Sequence, residues 1–560
     1  MKDWREKVSQ SKYNVIFEKD ACITVRDGVR IAADIYRPDA PGRFPALVGM
    51  SPYGKDVQTL PVPDFPSDSK LGNGGIEAGN SEFFVSRGYV HVIADVRGTG
   101  RSEGAYGNLN RHEYEDGHDI VEWIGTQSWC NGNVGMLGMS YFSMIQIGVA
   151  ALNPPHLKAL FLFDSLSDMY RQWGYHGGIL NIGFFPHWWP IVLAHTCEDP
   201  DIPKAELEQR VSALNKDIDI RSYPTAYIAL NYPQKNRQLH DLLAHPMDGP
   251  YYWERSAYTK FSRVNVPCFV FSRWTGFGLH LPGAFQTFNA IKTPKKMEII
   301  IPESGPGFNR PWVRERHDLV LRWYDHWLKG NDTGIMDEPP IRIFVQGIDQ
   351  YRDEYEWPLA RTNWTKFYLR EQGALSKEPP VVSEQPDTFT NKIGLKQPDK
   401  MPSLIYTTPP LAEDTEITGP SAAYLRASLS RKDANWFVEL RDLNPDGSHK
   451  TLTMGWLKAS HREMDAVRSL PYQPFHSHTR LLPPEPGEIN EYAVPIVETS
   501  NVFRKGHSIQ IRIKGQDAPG EGKEYFHAFL YHLPRSEATE HTVYHTGSHQ
   551  SYVLLPVIGN

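Results

Sequence analysis

The segment from Val134 to Leu152 constrains the fold more than any other part of the sequence. A short apolar run, Val134–Leu137, ends at Gly138-Met139-Ser140, and the apolar stretch Tyr141–Leu152 that follows is long enough for a helix. A serine at a sharp turn between a buried strand and a helix has a strained backbone and an exposed hydroxyl. The pattern therefore predicts Ser140 as a nucleophile and the Tyr141 amide as a donor to an oxyanion.

Other short apolar runs flank this segment and alternate with helix-like stretches. Strands are predicted at Ala21–Val25, Ile31–Tyr36, Phe44–Met50, Tyr89–Ala94, Leu157–Phe163, Val266–Ser272 and Met297–Ile301, and helices at Glu115–Thr126 and Arg314–Leu328. Buried strands alternating with helices are typical of a mostly parallel, doubly wound sheet. Together with the serine turn, this alternation predicts an α/β-hydrolase core.

Two further regions differ from this core in composition and in predicted secondary structure. Residues 164–260 are rich in Trp, His, Tyr and Pro and contain an amphipathic helix near Ala205–Leu214. We interpret them as a helical cap over the carboxyl ends of the strands, where open α/β sheets bind ligands. From about Pro339 the chain is predicted to be all-β, with Gly/Pro turns and strands such as Ile341–Val345, Ala422–Ser428, Trp436–Asp442 and Ile509–Ile513.

The predicted domain organisation follows from these regions, because 560 residues exceed what one hydrophobic core accommodates. Residues 1–163 and 261–338 form the α/β-hydrolase core, and residues 164–260 the cap. Residues 339–560 form a jelly-roll β-sandwich of the galactose-binding type. The polar stretch Lys377–Pro402 is expected to be a long loop or a linker.

Composition limits the classes of partner and compartment. A net charge of -7 gives no electrostatic reason to expect a nucleic-acid partner. The four Cys are widely spaced and predict neither a disulfide framework nor a zinc site. The N-terminus lacks the apolar core of a signal peptide, and no apolar run reaches the length of about 18 residues needed for a membrane span. We expect a cytoplasmic protein with a small-molecule substrate, no membrane partner, no cofactor and no metal. A homodimer is possible, but the sequence leaves the oligomeric state open.

Several motifs outside the serine turn are more specific than composition. They are Arg26-Asp27-Gly28-Val29, Ala33–Pro38, Ser51-Pro52-Tyr53-Gly54-Lys55, Asp95–Gly104, Gly138-Met139-Ser140-Tyr141, Trp323–Gly330, Leu440-Arg441-Asp442 and Gly455–Arg462. Together they resemble the cocaine-esterase and X-Pro dipeptidyl-peptidase hydrolases. The resemblance implies a core, a helical cap and a C-terminal jelly-roll, and an acyl-enzyme mechanism. In that mechanism Ser140 attacks, the Tyr53 hydroxyl and the Tyr141 amide hold the oxyanion, and a His and an Asp handle the proton.

The sequence departs from the family pattern at both proton-handling positions. The family's Asp follows a Trp after the strand that ends near Ser272, and here Trp274 is followed by Thr275 and Gly276. The family's His lies just past the next strand, and the stretch Pro302–Phe308 contains no His. The resemblance therefore implies a presented nucleophile whose expected partners are missing.

Three explanations remain open. The base could be a relocated histidine, of which His280 is nearest in the chain; His317 and the cap residues His176, His187 and His195 are further candidates. The second explanation assigns the proton to Glu303, on the loop where the His would be. The third is that rapid hydrolysis has been lost, since an oxyanion hole without a triad retains only about 10³–10⁴-fold catalysis over water.

The function predicted from these features is an acyl hydrolase or acyl transferase. Its substrate is expected to be an ester or amide of a small, apolar or polyketide-like molecule. The alternative is a lyase, cyclase or isomerase of secondary metabolism with a degenerate triad, or a binding protein. Five residues are predicted to line the substrate site: Trp173, His187, Trp188, Trp274 and Phe277.

Overall fold

A computed structural model describes residues 4–58, 77–184, 188, 192, 196, 204–222, 237–301, 316–381, 384–392, 401–518 and 530–559. These residues form two large sheets, nine helices and a two-stranded ribbon, apart from short 3₁₀ and π turns. Within these ranges, no helix combines the length and the apolar character needed to cross a membrane.

The first sheet has ten strands in the order β1-β2-β4-β3-β5-β6-β9-β10-β11-β12. Their bounds are β1 Val15–Thr24, β2 Arg30–Pro38, β3 Phe44–Ser51, β4 Val90–Asp95, β5 Cys130–Met136, β6 Leu157–Phe163, β9 Cys268–Arg273, β10 Lys295–Ile300, β11 Ile341–Val345 and β12 Gln350–Glu354. The strands from β4 to β11 are parallel, and the antiparallel pairs lie at the two edges. The parallel α/β core predicted from the sequence is confirmed.

Helices cover both faces of this sheet, and further helices lie in the segment predicted to be a cap. They are α1 Ser81–Val85, α2 Arg111–Thr126, α3 Tyr141–Ala150, α4 Lys204–Leu214, α5 Ile218–Ser222, α6 Arg237–Ala244, α7 Pro250–Arg255, α8 Leu281–Ala290 and α9 His317–Lys329. Side chains of a strand alternate between faces. In β6, Phe161 and Phe163 accordingly pack with Trp323 of α9, whereas Leu160 and Leu162 pack with Ile145 of α3. Helices α4 to α7 and the ribbon β7 Tyr175–His176 and β8 Ile179–Leu180 lie within the segment predicted to be a cap.

The second sheet has eleven strands in the order β15-β22-β17-β20-β19-β18-β21-β16-β14-β13-β23, and β23 also pairs with β17. Their bounds are β13 Thr362–Arg370, β14 Ala374–Ser376, β15 Asp387–Asn391, β16 Ser403–Thr407, β17 Thr415–Leu429, β18 Asn435–Leu443, β19 His449–Lys458, β20 Asn490–Phe503, β21 Ser508–Lys514, β22 Thr539–Val543 and β23 Tyr552–Ile558. This sheet has its own apolar core around Trp436 and Leu440, so the predicted all-β C-terminal domain is confirmed.

Two details differ from the sequence-based expectation. Ile341–Val345, predicted to belong to the all-β region, is β11 and pairs in parallel with β10 of the first sheet. An isolated apolar run does not specify which sheet it joins, and its partner is chosen by tertiary packing. The stretch Lys377–Pro402, predicted to be a loop, includes the strand β15.

Backbone hydrogen bonds join the two sheets. The Gln346 amide donates to the Ser500 carbonyl at 3.2 Å, and the Val502 amide donates to the Gln346 carbonyl at 2.8 Å. The Lys458 amide donates to the Gly177 carbonyl at 2.8 Å. The all-β domain therefore contacts both the core and the segment predicted as a cap.

Candidate active site

The turn between β5 and α3 presents Ser140. Its backbone has φ 56° and ψ -116°, a conformation that non-glycine residues rarely adopt. The Ser140 amide donates to the Phe163 carbonyl at 3.0 Å, and the Ser140 carbonyl accepts from the Met144 amide of α3 at 2.8 Å. Gly138 has φ 135°, and a Cβ atom there would lie 2.3 Å from Phe142 Cβ. Neighbouring elements thus hold the strained turn in place.

His280 is the histidine that the structure brings to Ser140. It immediately precedes α8, and its amide donates to the Gly276 carbonyl at 3.0 Å. The distance from His280 Nε2 to Ser140 Oγ is 3.4 Å. This is long for a hydrogen bond, but such contacts commonly tighten when substrate binds. His280 is therefore placed to accept the Ser140 proton.

The protonation state of His280 is set mainly by its burial. Only 2% of the residue is exposed. Burial lowers the pKa of His280 to about 4, while the charge of Asp164 opposes this effect and that of Arg273 adds to it. The imidazole is consequently neutral at pH 7, as a proton acceptor must be.

Tyr53 lies just beyond the carboxyl end of β3 and contacts the Ser140 side chain. The Trp188 indole N–H donates to the Tyr53 hydroxyl oxygen at 3.0 Å. Burial raises the pKa of the Tyr53 phenol, so it remains a hydrogen-bond donor at neutral pH. The arrangement supplies an O–H group beside the nucleophile.

Tyr141 is the first residue of α3, where backbone amides have no acceptor inside the helix. The Tyr141 hydroxyl makes structural hydrogen bonds. It donates to Glu113 Oε2 at 2.6 Å and accepts from the Leu109 amide at 3.0 Å. The side chain therefore anchors the start of α3, and the amide is the group available to an oxyanion.

Asp164 follows β6 directly and was not identified from the sequence. The Ser272 hydroxyl donates to Asp164 Oδ1 at 2.9 Å, and Arg273 Nη2 lies 3.0 Å from Asp164 Oδ2. Strand β6 lies between β5, which carries Ser140, and β9, which precedes His280. His280 therefore reaches Ser140 across the end of β6, where Asp164 lies. The available signal was an acidic residue immediately after a buried strand.

Glu77 is a second carboxyl group that sequence reasoning missed. Its carbonyl accepts from the Met139 amide at 2.9 Å, and its amide donates to Gln58 Oε1 at 2.8 Å. Burial, reinforced by Asp164, raises the pKa of Glu77 to about 8, although Arg273 opposes this shift. The charge of an ionised Glu77 also raises the pKa of Tyr53, in addition to the larger effect of burial. No motif marks Glu77, so only the folded chain reveals it.

Comparison with known proteins identifies the family of this chain. A family model described as X-Pro dipeptidyl-peptidase (S15 family) matches residues 27–307. The chain belongs to the X-Pro dipeptidyl-peptidase (S15) family. A second family model, described as the X-Pro dipeptidyl-peptidase C-terminal non-catalytic domain, matches residues 333–554. The resemblance inferred from the motifs is thereby confirmed.

Some proteins similar to this S15-family chain match it over nearly its whole length. The cocaine esterase of Rhodococcus sp. (strain MB1 Bresler) is 26% identical over 604 residues, which cover 97% of this chain and 99% of the esterase. A CocE/NonD family hydrolase from Staphylococcus aureus superposes with a TM-score of 0.80 at 24% identity, covering 97% of this chain and 94% of the hydrolase. An aminopeptidase from a marine sediment archaeon, Thaumarchaeota archaeon, superposes at 0.76 with 18% identity, covering 98% and 97% respectively. The two structural likenesses show a shared fold.

Gly276, which stands where the family resemblance places an Asp, borders on His280. A Cβ atom at position 276 would lie 3.7 Å from His280 Cβ and 3.6 Å from Arg273 Cγ. The position thus has room for a side chain next to the imidazole. Residues 302–308, including Glu303, lie outside the described residues, as do His187 and His195.

The remaining predicted substrate-site residues separate into two groups. Trp173 and Trp188 are buried and 6.0 Å apart between ring centroids, in an edge contact beside Tyr53. The Trp274 indole instead donates to the Phe344 carbonyl at 2.6 Å and stacks on Phe285. These contacts give Trp274 a packing role, and its substrate-binding role stays a prediction.

Phe277 and the alternative histidines have other neighbours. Phe277 is buried and lines a cavity at the all-β domain. His176 Nδ1 is 2.7 Å from His532 Nε2. His317 Nε2 accepts from the Asn80 amide at 3.1 Å, and its ring stacks on Phe83. Of the candidate histidines that the structure describes, His280 has a hydrogen-bonding contact with Ser140.

A cluster of carboxylates elsewhere is occupied by a lysine. Within the described ranges, Asp20, Asp34 and Asp56 are the acidic side chains that lie close enough together to hold a cation. Lys55 Nζ lies among them, 2.5 Å from Asp20 and 2.9 Å from Asp34. The lysine ammonium already balances these charges, so the cluster is explained as an ion-pair network around a buried lysine.

Proposed function

We propose that this protein is a serine hydrolase that cleaves an ester or amide bond with Ser140 as nucleophile and His280 as base. The observation that carries the proposal is the 3.4 Å distance between His280 Nε2 and Ser140 Oγ. In this proposal the base has another position in the chain than in the family pattern. His280 lies before α8, whereas the family's His follows the strand that is here β10. Membership of the S15 family supports the same chemistry.

The proposed mechanism has two half-reactions. In the first, the Ser140 proton passes to His280 Nε2 while Oγ bonds to the substrate carbonyl carbon. The Tyr53 O–H and the Tyr141 amide stabilise the oxyanion. His280 then gives the proton to the leaving alcohol or amine as its bond to the acyl group breaks. Water repeats the sequence on the acyl-enzyme, releasing the acid and restoring Ser140.

Asp164 is proposed to stabilise the protonated imidazole that forms in each half-reaction. Its carboxylate lies at the end of the strand that His280 crosses, and its charge favours the protonated form of His280. Arg273 partly neutralises Asp164 through their ion pair, which weakens this effect. Asp164 therefore acts as a positioning residue that raises the basicity of an otherwise weakly basic, buried His280.

The proposed substrate is a small ester or amide with an apolar acyl or leaving group. Trp173, Trp188 and Phe184 form a buried aromatic cluster, and its Trp188 indole bonds directly to Tyr53. Aromatic walls next to an oxyanion donor favour apolar groups. Relatives named as a cocaine esterase and an aminopeptidase are consistent with ester and amide substrates.

Covalent labelling tests the proposal. A fluorophosphonate should add one adduct per chain, and intact-mass measurement should show its loss in Ser140→Ala. His280→Ala should slow labelling by about 10²-fold or more, since general-base catalysis contributes about 10²–10⁴-fold. His176→Ala is the matched control, because His176 is buried against His532. A folded wild-type protein that takes no label would refute acyl chemistry at Ser140 and favour the non-hydrolytic alternative.

A further inference from the structure

A cavity of about 560 Å³ lies between the α/β core and the all-β domain. One wall is the outer side of α8 with the turn before it, including Phe277, Phe285 and Gln286. The opposite wall is formed by β20 and by residues 473–478 of the all-β domain. Ser140, Tyr53 and His280 do not line it, so it is separate from the proposed catalytic centre.

Glu498 of β20 belongs to this cavity wall, and few of the described side chains balance the charge of its carboxylate. It is 5% exposed. Gln473 Nε2 lies 3.5 Å from Glu498 Oε1, which is long for a hydrogen bond. Among the described residues, no ion pair within 4 Å neutralises its carboxylate, and burial raises the pKa of Glu498 to about 7. Burying a carboxyl group without a cation is costly.

Other charged and titratable groups at the cavity are engaged elsewhere, among them His176, whose Nδ1 is 2.7 Å from His532 Nε2. Arg171 Nη1 lies 2.8 Å from both Asp168 and Asp248, and Arg468 Nε lies 2.7 Å from Asp465. His476 Nε2 is 2.6 Å from the Ala493 carbonyl, and His478 Nδ1 is 3.1 Å from His461 Nδ1. Burial lowers the pKa of both His476 and His478, so neither supplies a positive charge at neutral pH.

The rest of the lining is strongly aromatic. It includes Tyr258, Phe277, Phe285 and Trp456, and also Phe475, whose ring already lies against the guanidinium groups of Arg171 and Arg468. Aromatic faces attract ammonium groups as well as apolar surface. A pocket with aromatic walls and a carboxyl group that forms no ion pair among the described residues has the composition of a small-molecule site.

We propose that this interdomain cavity binds a small primary amine, with its ammonium group against Glu498 and its aromatic or branched apolar body against Phe277 and Phe285. The ligand supplies a cation next to Glu498, where no described side chain forms an ion pair within 4 Å. The proposal concerns a second site and does not depend on the chemistry at Ser140.

Calorimetric titration with 2-phenylethylamine tests the proposal, and 2-phenylethanol is the neutral probe of the same shape. The amine should bind Ser140→Ala protein at least about tenfold more tightly than the alcohol. Glu498→Gln should weaken amine binding at least about tenfold and leave alcohol binding unchanged. Glu485→Gln, at an exposed position of the same domain, is the matched control. Near pH 7, amine binding should also release a proton from Glu498, detected by repeating the titration in buffers of different ionisation enthalpy.

Three results would overturn the proposal. Equal affinity for the amine and the alcohol would show that no carboxylate is involved. Unchanged amine binding in a folded Glu498→Gln protein would place the ligand elsewhere. Loss of amine binding in wild-type protein whose Ser140 carries a fluorophosphonate adduct would place it at the catalytic centre. Fluorophosphonate labelling is scored separately, so failure of the catalytic proposal remains distinguishable.

Discussion

Introducing a carboxylate at Gly276 should convert His280 into a stronger base. A Cβ atom there would lie 3.6 Å from Arg273 Cγ and from the Leu281 amide nitrogen, and 3.7 Å from His280 Cβ. These are ordinary van der Waals distances, and the φ angle of Gly276 is not in the left-handed region. Gly276→Asp is therefore expected to fold and to place its carboxyl group next to the imidazole.

The magnitude follows from Coulomb's law. A carboxylate about 5 Å from the imidazole, at an effective dielectric constant of about 20, favours the protonated ring by about 3 kcal/mol. That energy corresponds to roughly 2 pKa units. The pKa of His280 should therefore rise from about 4 towards about 6, with pairing to Arg273 reducing the shift. Because His280 would still be neutral at pH 7, the stronger base should raise the rate there about tenfold.

The assay is the rate of hydrolysis of a p-nitrophenyl ester, together with the rate of fluorophosphonate labelling, as functions of pH. In the wild type, the acid-side decline of both rates should begin only as the pH drops through about 4, because the imidazole is then protonated. In Gly276→Asp this decline should begin about 2 pH units higher. Gly276→Asn is the control of equal size without charge and should keep the wild-type profile.

The reasoning would be refuted by either of two outcomes. If Gly276→Asn shifted the profile as much as Gly276→Asp, the effect would be steric. If Gly276→Asp folded normally but left both the acid limb and the rate unchanged, His280 would not be the base that limits the reaction. Circular dichroism and thermal unfolding establish that each variant is folded.

Two further substitutions examine the carboxyl groups around the site. Asp164→Asn should lower the labelling rate at pH 7 by about 10²-fold, because Arg273 then faces His280 without its counter-charge; a rate within a factor of two of wild type would exclude Asp164 as a positioning residue. Glu77 is neutral below about pH 8 and ionises above it, which places a negative charge near Tyr53 and opposes the oxyanion, so kcat/KM should decline above that pH. Glu77→Gln should abolish this alkaline decline while preserving activity at pH 7, and persistence of the decline would assign it to another group.

The sequence by itself determined the local elements of this protein. Alternating apolar positions and short apolar runs predicted β6 and α3 nearly to the residue. The turn at Ser140 was equally predictable, because Gly138 and the runs on either side act within a few residues. Hydrogen bonds within helices and turns join residues that are close in the chain. A short stretch of sequence is therefore enough to predict these elements.

Only the tertiary structure decided which groups surround Ser140. His280 is 140 positions away in the chain and reaches the serine because β9 lies two strands from β5. The same strand order places Asp164 at the end of β6, the strand between β5 and β9. The Trp274 indole, which follows β9, stacks on Phe285. An apolar run encodes that a strand forms but not which strand it pairs with. The pairing is decided by the burial and hydrogen bonding of the whole sheet.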